Sequence, residues 1–238
     1  MTDEADETPE TSDTPEVTPP PAFPGDTLLS ALTRHGIDLP AAQVERLDQY
    51  CKLLWDWNEK LNLTRHTDYE KFVSRDLKDT LELSRLVYAG EAVLDVGTGG
   101  GVPGVVLAIV RPDLQVALCD SVGKKVKAVQ QMIEALGLEC PVYPFRAEEV
   151  LEDMRFDALV VRAVGPLWKL LTWFRPHWNA MRRLLVIKGP KWPEELVEAK
   201  RRGLLRELQL KSAAEYPLPG TESNSVILKF WPKGTPER

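Results

Sequence analysis

The chain has 238 residues, 43% of them apolar, which is enough to bury a core. No apolar run approaches the ~20 residues of a membrane span, and the N-terminus lacks a basic-then-apolar leader pattern, so a cytoplasmic protein is expected. The formal net charge of −6 is unevenly divided: residues 1–26 hold eight Asp and Glu and no Lys or Arg, leaving 28 acids against 30 bases elsewhere. That balance is compatible with a polyanionic partner without requiring one.

Met1 to Asp26, rich in Asp, Glu, Thr and Pro, has little to bury and is expected to be disordered. Leu28, Leu29, Leu32 and Ile37 give a short amphipathic helix ending near Gly36. Pro40 opens a longer one, with Val44, Leu47, Tyr50, Cys51, Leu54, Trp57 and Leu61 at helical spacing. Asn62-Leu63-Thr64 breaks that pattern, and a third helix runs from about Tyr69 to Val87. Within it Arg75 and Asp79, four residues apart, are expected to form an ordinary surface ion pair. His35, His66 and His177 read as isolated. Cys51, Cys119 and Cys140 read as small core residues, since neither a disulfide frame nor a zinc site has their spacing. No metal site is expected.

The remainder is organised around Val93-Leu94-Asp95-Val96-Gly97-Thr98-Gly99-Gly100-Gly101-Val102-Pro103-Gly104. Val93 to Val96 reads as a buried strand entering a tight turn. Gly97, Gly99, Gly101 and Gly104 permit positive φ and leave the backbone bare toward a ligand. Pro103 suits the first turn of the helix supplied by Val105 to Val110. A second strand, Gln115 to Cys119, ends on Asp120, where a carboxylate meets a ribose diol in α/β nucleotide sites. Gly99-x-Gly101-x-x-Gly104 matches a dinucleotide fingerprint. Asp-x-Gly-x-Gly-x-Gly from Asp95 matches the S-adenosylmethionine loop of Rossmann-like methyltransferases. The carboxylate of Asp95 favours the second reading, because it repels a pyrophosphate and attracts the methionine ammonium, directly or through water.

Gly123 to Leu136 follows as an amphipathic helix with Lys124, Lys125 and Lys127 crowding its start. Pro141 to Phe145 is the third strand, after which Ala147 and Glu148 stand where an adenine would be addressed. Asp157 to Val161 is the fourth strand, and Arg162 leaves its ligand-collecting end. Leu167 to Trp178 is helical and dense in aromatics, with core packing the default for Trp168, Trp173, Phe174 and Trp178. Leu184 to Ile187, ending in Lys188, is the fifth strand. Glu194 to Arg202 is a short helix, and Leu204 to Tyr216 with Ser225 to Trp231 close the sheet.

Several segments together resemble one family. They are Asn62-Leu63-Thr64, Arg75 with Asp79-Thr80, the loop from Asp95 to Gly104, Asp120-Ser121-Val122-Gly123-Lys124-Lys125, Arg162-Ala163 and Lys188-Gly189. The chain resembles, over roughly residues 27–232, the bacterial 16S ribosomal RNA guanine-N7 methyltransferases, also called glucose-inhibited division protein B. The resemblance implies a Rossmann-like class I methyltransferase fold: a seven-stranded, mostly parallel α/β sheet with helices on both faces. The division is then a disordered acidic tail (1–26), an N-terminal helical cap (27–88), a methyltransferase domain (89–232) and a C-terminal tail (233–238).

It implies S-adenosylmethionine as cofactor, with contacts from Gly97, Val102, Asp120, Ala147, Glu148 and Arg162. Asp95, Thr98, Gly99, Gly101, Ser121 and Val122 complete the candidate cofactor set. The expected partner is 16S ribosomal RNA in the small subunit or an assembly intermediate, met by a monomer. Guanine N7 carries an in-plane lone pair, so its attack on a sulfonium methyl needs alignment and no general base. Arg162 and Lys188 are expected to ring the target pocket, with Arg75, Lys124 and Lys125 on a basic rim. Arg162→Ala is then expected to remove most turnover and leave the fold intact. One departure stands out: the family reads Arg-His-Ile/Leu-x-Asp-Ser where this chain has Arg75-Asp76-Leu77-Lys78-Asp79-Thr80, so Asp76 replaces the His. A methyltransferase acting on a small molecule or protein, an NAD-dependent oxidoreductase and a non-catalytic RNA-binding factor are the competing readings.

Overall fold

In the computed structural model, seven strands form one sheet in the order β3-β2-β1-β4-β5-β7-β6. They are β1 (Ala92–Val96), β2 (Gln115–Cys119), β3 (Val142–Tyr143), β4 (Phe156–Arg162), β5 (Met181–Lys188), β6 (Leu208–Pro217) and β7 (Asn224–Pro232). Residues 26–219 and 223–237 are described. The acidic stretch expected to be disordered lies outside them except for Asp26, which is ordered enough to pair with Arg34 at 2.9 Å.

The runs Ala158–Val161 and Leu184–Ile187 are apolar without alternation, and Val93–Val96 is so apart from Asp95, as strands covered on both faces must be; they lie parallel at the centre. Only β7 runs against the others, pairing antiparallel with β5 on one side and β6 on the other. The winding reverses direction at β1, whose neighbours are β2 and β4, and the crevice outside the carboxyl ends of these strands is where such sheets take ligands. The last hairpin starts later than its sequence suggests: residues 202–207 form turns, with Gly203 at φ +69°, and β6 begins only at Leu208.

The N-terminal helices are α1 (Leu28–Arg34), α2 (Ala41–Asn58), α3 (Tyr69–Lys71), a π-helical turn (Phe72–Leu77) and α4 (Lys78–Ser84). Helix α2 stops short of Leu61, because the Asn58 side chain accepts the N–H groups of Leu63 (2.7 Å) and Thr64 (2.9 Å) and so takes up the donors of the turn. The cap residues Leu47, Tyr50, Leu54 and Phe72 share one cluster with Val105 and Leu107 of α5 (Gly104–Val110) and Val129 and Met132 of α6 (Gly123–Ala135). The opposite face of the sheet is covered by α7 (Ala147–Asp153), α8 (Leu167–Phe174) and α9 (Trp192–Arg201), around Leu94, Leu159, Leu171, Phe174 and Phe230. Helix α7 has no counterpart in the sequence reading: seven residues are too few to show a period, although Glu149 caps it by accepting the Arg146 N–H. Among the described residues no helix is long and apolar enough to cross a membrane.

The π-helical turn changes which side chains meet. An extra residue per turn removes the i, i+4 stacking of an α-helix. The expected Arg75–Asp79 surface pair is therefore absent; Asp79 is buried and bonded elsewhere.

Candidate functional site

The loop after β1 is tied across its mouth by Asp95. Its Oδ2 accepts the Thr98 hydroxyl at 2.6 Å and the Gly104 N–H at 2.8 Å, so one carboxylate oxygen joins both ends of the turn. Gly104 has to be glycine: a Cβ there would stand 2.6 Å from Asp95 Oδ2 and 2.9 Å from Leu118 Cδ2. Gly97 is in the left-handed region at φ +65°, and its Cβ would meet Val164 Cγ2 at 2.6 Å. The Asp95 carboxylate, expected to attract the methionine ammonium directly or through water, lies under the loop and not on the cavity wall. Asp95 is wholly buried beneath the loop, its Oδ1 has no partner, and burial pushes its carboxyl up to about 6.

A cavity of about 400 Å³ opens beside this loop at the carboxyl ends of β1, β2 and β4. Five of the residues expected around a cofactor line it: Gly97, Asp120, Ser121, Ala147 and Glu148. Asp120 is held by two backbone donors, Gly99 N–H on Oδ2 at 3.0 Å and Val122 N–H on Oδ1 at 2.8 Å. Each oxygen keeps lone pairs for a diol. Thr98, Gly99, Gly101 and Val102 form the supporting loop rather than the lining, and Val122 is the exposed N-cap of α6.

Lys125, expected on an RNA rim, reaches the cavity instead, while Lys124 is exposed beside it. The sequence reading missed Phe145, Ala163 and Trp173 as lining residues. Phe145 is half exposed, an apolar ring offered to solvent beside a polar wall. The aromatic density of Leu167 to Trp178 was a signal for Trp173, but periodicity does not say which ring leaves the core. Ala163 adopts φ 57°, a left-handed conformation that costs a non-glycine residue roughly 1–2 kcal/mol and turns the chain sharply at the end of β4. Cys119 also lines the cavity, where burial pushes its thiol up to about 12 and keeps it protonated and unreactive.

Beside the cavity, three separate parts of the fold meet in a buried polar network. Arg162 at the end of β4 donates to Asp76 Oδ1 at 2.6 Å and Asp79 Oδ2 at 3.3 Å, both on the cap. The Tyr216 hydroxyl, at the end of β6, donates to Asp79 Oδ1 at 2.8 Å. His66 Nδ1 lies 2.9 Å from Asp76 Oδ1, so this histidine is not isolated; nor is His35, paired with Glu70 at 2.5 Å. Burial opposes ionisation of Asp76, yet the His66 bond and the Arg162 charge hold it below the usual carboxylate range. Burial dominates at Asp79 and pushes it up. Burial likewise opposes charge on Arg162, and the two aspartates outweigh it, raising the guanidinium above its ordinary value.

Two cations expected to ring the target are therefore committed within the protein. Arg162 is locked between carboxylates. Lys188 sits at the end of β5 but donates to the Gly165 carbonyl and pairs with Glu195 at 2.7 Å, fixing the turn after β4. Arg75 is half-buried and keeps Nη1 without a partner inside.

The arrangement has relatives. Residues 43–219 match the family model GidB, described as rRNA small subunit methyltransferase G. A ribosomal RNA small subunit methyltransferase G of Rhodopirellula baltica is 49% identical over 189 residues, 79% of this chain and 82% of that protein. One from Halorhodospira halophila is 39% identical, covering 74% and 84%. Among solved structures, a point mutant of MtNAS in complex with S-adenosylmethionine superposes with a TM-score of 0.52 at 16% identity, over 87% of this chain and 84% of that one. The M. capricolum TrmK complex with S-adenosyl-homocysteine superposes at 0.51 and 12% identity, over 65% and 67%. At such low identity these two share the Rossmann-like fold and no more. With a family match spanning the loop, Asp120, the Arg162 network and Tyr216, and relatives of this identity, the chain belongs to the rRNA small subunit methyltransferase G family.

Proposed function

We propose that the chain transfers a methyl group from S-adenosylmethionine to N7 of a guanosine in 16S ribosomal RNA. The observation that carries this reading is that the matched span holds both the cavity beside the Asp95 loop and the network that closes its edge. The lining suits the donor. In this reading Asp120, oriented by two N–H groups, accepts a ribose diol, and Glu148 with the backbone of Ala147 addresses the adenine, whose face Phe145 would cover. Gly97, on the cavity wall, is where the methionine end would lie. When bound, the donor supplies an electrophilic sulfonium methyl.

The remaining work falls to alignment, worth up to ~7–11 kcal/mol in well-oriented intramolecular reactions. Attack by an in-plane lone pair releases no proton at the nucleophile. A site where Arg162 engages Asp76 and Asp79 and the one lining thiol stays protonated suits that chemistry. Arg162, locked by Asp76 and Asp79, acts as a rigid wall between cap and sheet, and Arg75 keeps a donor for the target nucleotide. In this reading the substrate is the small subunit or an assembly intermediate, and a cytoplasmic monomer acts on it. The test is transfer of labelled methyl onto isolated 30S subunits with mapping of the modified base. Label on N7 of one guanosine is the expected result; label only on protein or on small molecules would overturn the reading.

A further inference from the structure

Residues 163–206 concentrate positive charge: ten Lys and Arg stand against three Glu, in a chain whose net charge is −6. Four of the seven tryptophans, Trp168, Trp173, Trp178 and Trp192, lie in the same stretch. The fold lays this stretch along one side of the sheet. It leaves β4 at the cavity end, descends through α8 to the start of β5, returns along β5, and descends again through α9 to the start of β6. The start of β6 is at the end opposite the cavity, because Leu208 pairs with Pro232 of β7 and β7 runs against β5. Lys169, Arg175, Lys191, Lys200, Arg202 and Arg206 are all exposed along this side. Its span is set by the eight residues of β5, about 26 Å at ~3.3 Å per residue.

At the far end Arg175, Arg202 and Arg206 line a hollow of about 260 Å³ together with Trp178 and Glu207. Arg202 is fixed there, its guanidinium 3.8 Å from the centre of the Trp168 ring and bonded to Glu198 at 2.5 Å. Arg175 and Arg206 have no side-chain hydrogen bond or ion pair among the described residues. Three arginines on one hollow, two of them without a partner among the described residues, suit a phosphate oxygen, and the half-buried Trp178 beside them is an aromatic neighbour for a base. At the cavity end Arg162 and Lys188 are neutralised by Asp76, Asp79 and Glu195, while Lys124 and Lys125 remain beside the cavity.

We propose that the α8–α9 side is the surface on which the phosphodiester backbone of the RNA substrate lies, with the Arg175–Arg202–Arg206 hollow gripping a phosphate remote from the methylated base. This rests on the RNA-substrate reading above and adds a docking surface to it. A 26 Å stripe engages a folded RNA and does not serve a single nucleotide.

The test uses the full chain and the double variant Arg175→Ala/Arg206→Ala, with Lys52→Ala on α2 as control. Binding to 16S RNA is titrated between about 50 and 200 mM salt, the range over which counterion release is read. The double variant should bind on the order of tenfold more weakly, with a salt slope shallower by about two, one for each lost phosphate contact. Its affinity for S-adenosylmethionine and its melting temperature should match the parent, and KM for RNA should rise without a fall in kcat. Parental affinity and slope in the double variant would overturn the proposal. If the parent binds RNA through this surface but transfers no methyl to it, the activity reading fails and the docking surface stands. If the parent binds no RNA, both fall.

Discussion

Replacing Arg162 by Ala tests the site most directly, and the structure changes what that substitution is expected to do. The side chain is 20% exposed, between an Asp76 carboxylate that is 0% exposed and an Asp79 carboxylate that is 11% exposed. Truncation leaves two buried acids facing an empty volume. Breaking a buried pair by removing one partner costs about 3–5 kcal/mol, a large share of the ~5–15 kcal/mol that stabilises a typical domain. Arg162→Ala should thus lose stability as well as turnover, against the expectation of an intact fold. In urea, with a slope of about 2–3 kcal/mol per molar, the midpoint should fall by about 1–2.5 M.

The penalty should also depend on pH. Asp76 has its folded pKa held down, so its pairing stabilises the parent above the ordinary carboxylate value and is lost as pH falls through the folded one. The gap between parent and variant should therefore be full at pH 8 and shrink only below the ordinary carboxylate value of 3.8, toward about pH 2. Tryptophan fluorescence in urea at the two pH values measures it. A variant within 1 kcal/mol of the parent at pH 8 would refute the pairing of Arg162 with both aspartates.

Three further substitutions probe the loop and its surroundings. Asp120→Asn presents an amide nitrogen to one of the two N–H groups now held by the carboxylate, so donor affinity by calorimetry should drop by roughly tenfold or more, the ~1–3 kcal/mol of a buried donor left unpaired. Gly97→Ala puts a Cβ 2.6 Å from Val164 Cγ2 on a residue at φ +65°, and should cost about 1–3 kcal/mol; adding Val164→Ala should restore the part due to the clash and leave the backbone strain, as the melting temperatures of the two variants will show. Asp95, pushed up from 3.8 to about 6, stabilises the fold fully below 3.8 and loses that contribution as pH rises through 6, by about 3 kcal/mol in total. Asp95→Asn, whose amide oxygen still accepts from Thr98 and Gly104, should flatten the stability profile between pH 4 and 6.

Local chemistry made the loop readable from sequence, whereas long-range packing hid much of what surrounds it. Glycines at 97, 99, 101 and 104 and the acids at 95 and 120 stand close to the turn they build, so their spacing alone located it. Nothing in the spacing says which way the Asp95 carboxylate turns; the Thr98 hydroxyl and the Gly104 N–H, nine residues on, fix it. The network of His66, Asp76, Arg162, Asp79 and Tyr216 joins residues up to 137 positions apart and exists only once cap and sheet have docked. Periodicity was misleading at Arg75 for a different reason. A single π-helical turn shifts the helical phase, and a ruler of 3.6 residues then pairs the wrong neighbours.

The N-terminal helices are bricked into the wall that backs the sheet. Tyr50 donates to the carbonyl of Gly100, and Gly100 has no room for a side chain because Leu54 Cδ1 would lie 2.8 Å from it. These helices therefore hold the nucleotide turn in shape, much as a keystone holds an arch. A trimmed enzyme beginning at β1 would lose the support for that turn along with its cover, so attempts to engineer a minimal version should begin by keeping Tyr50 and Leu54.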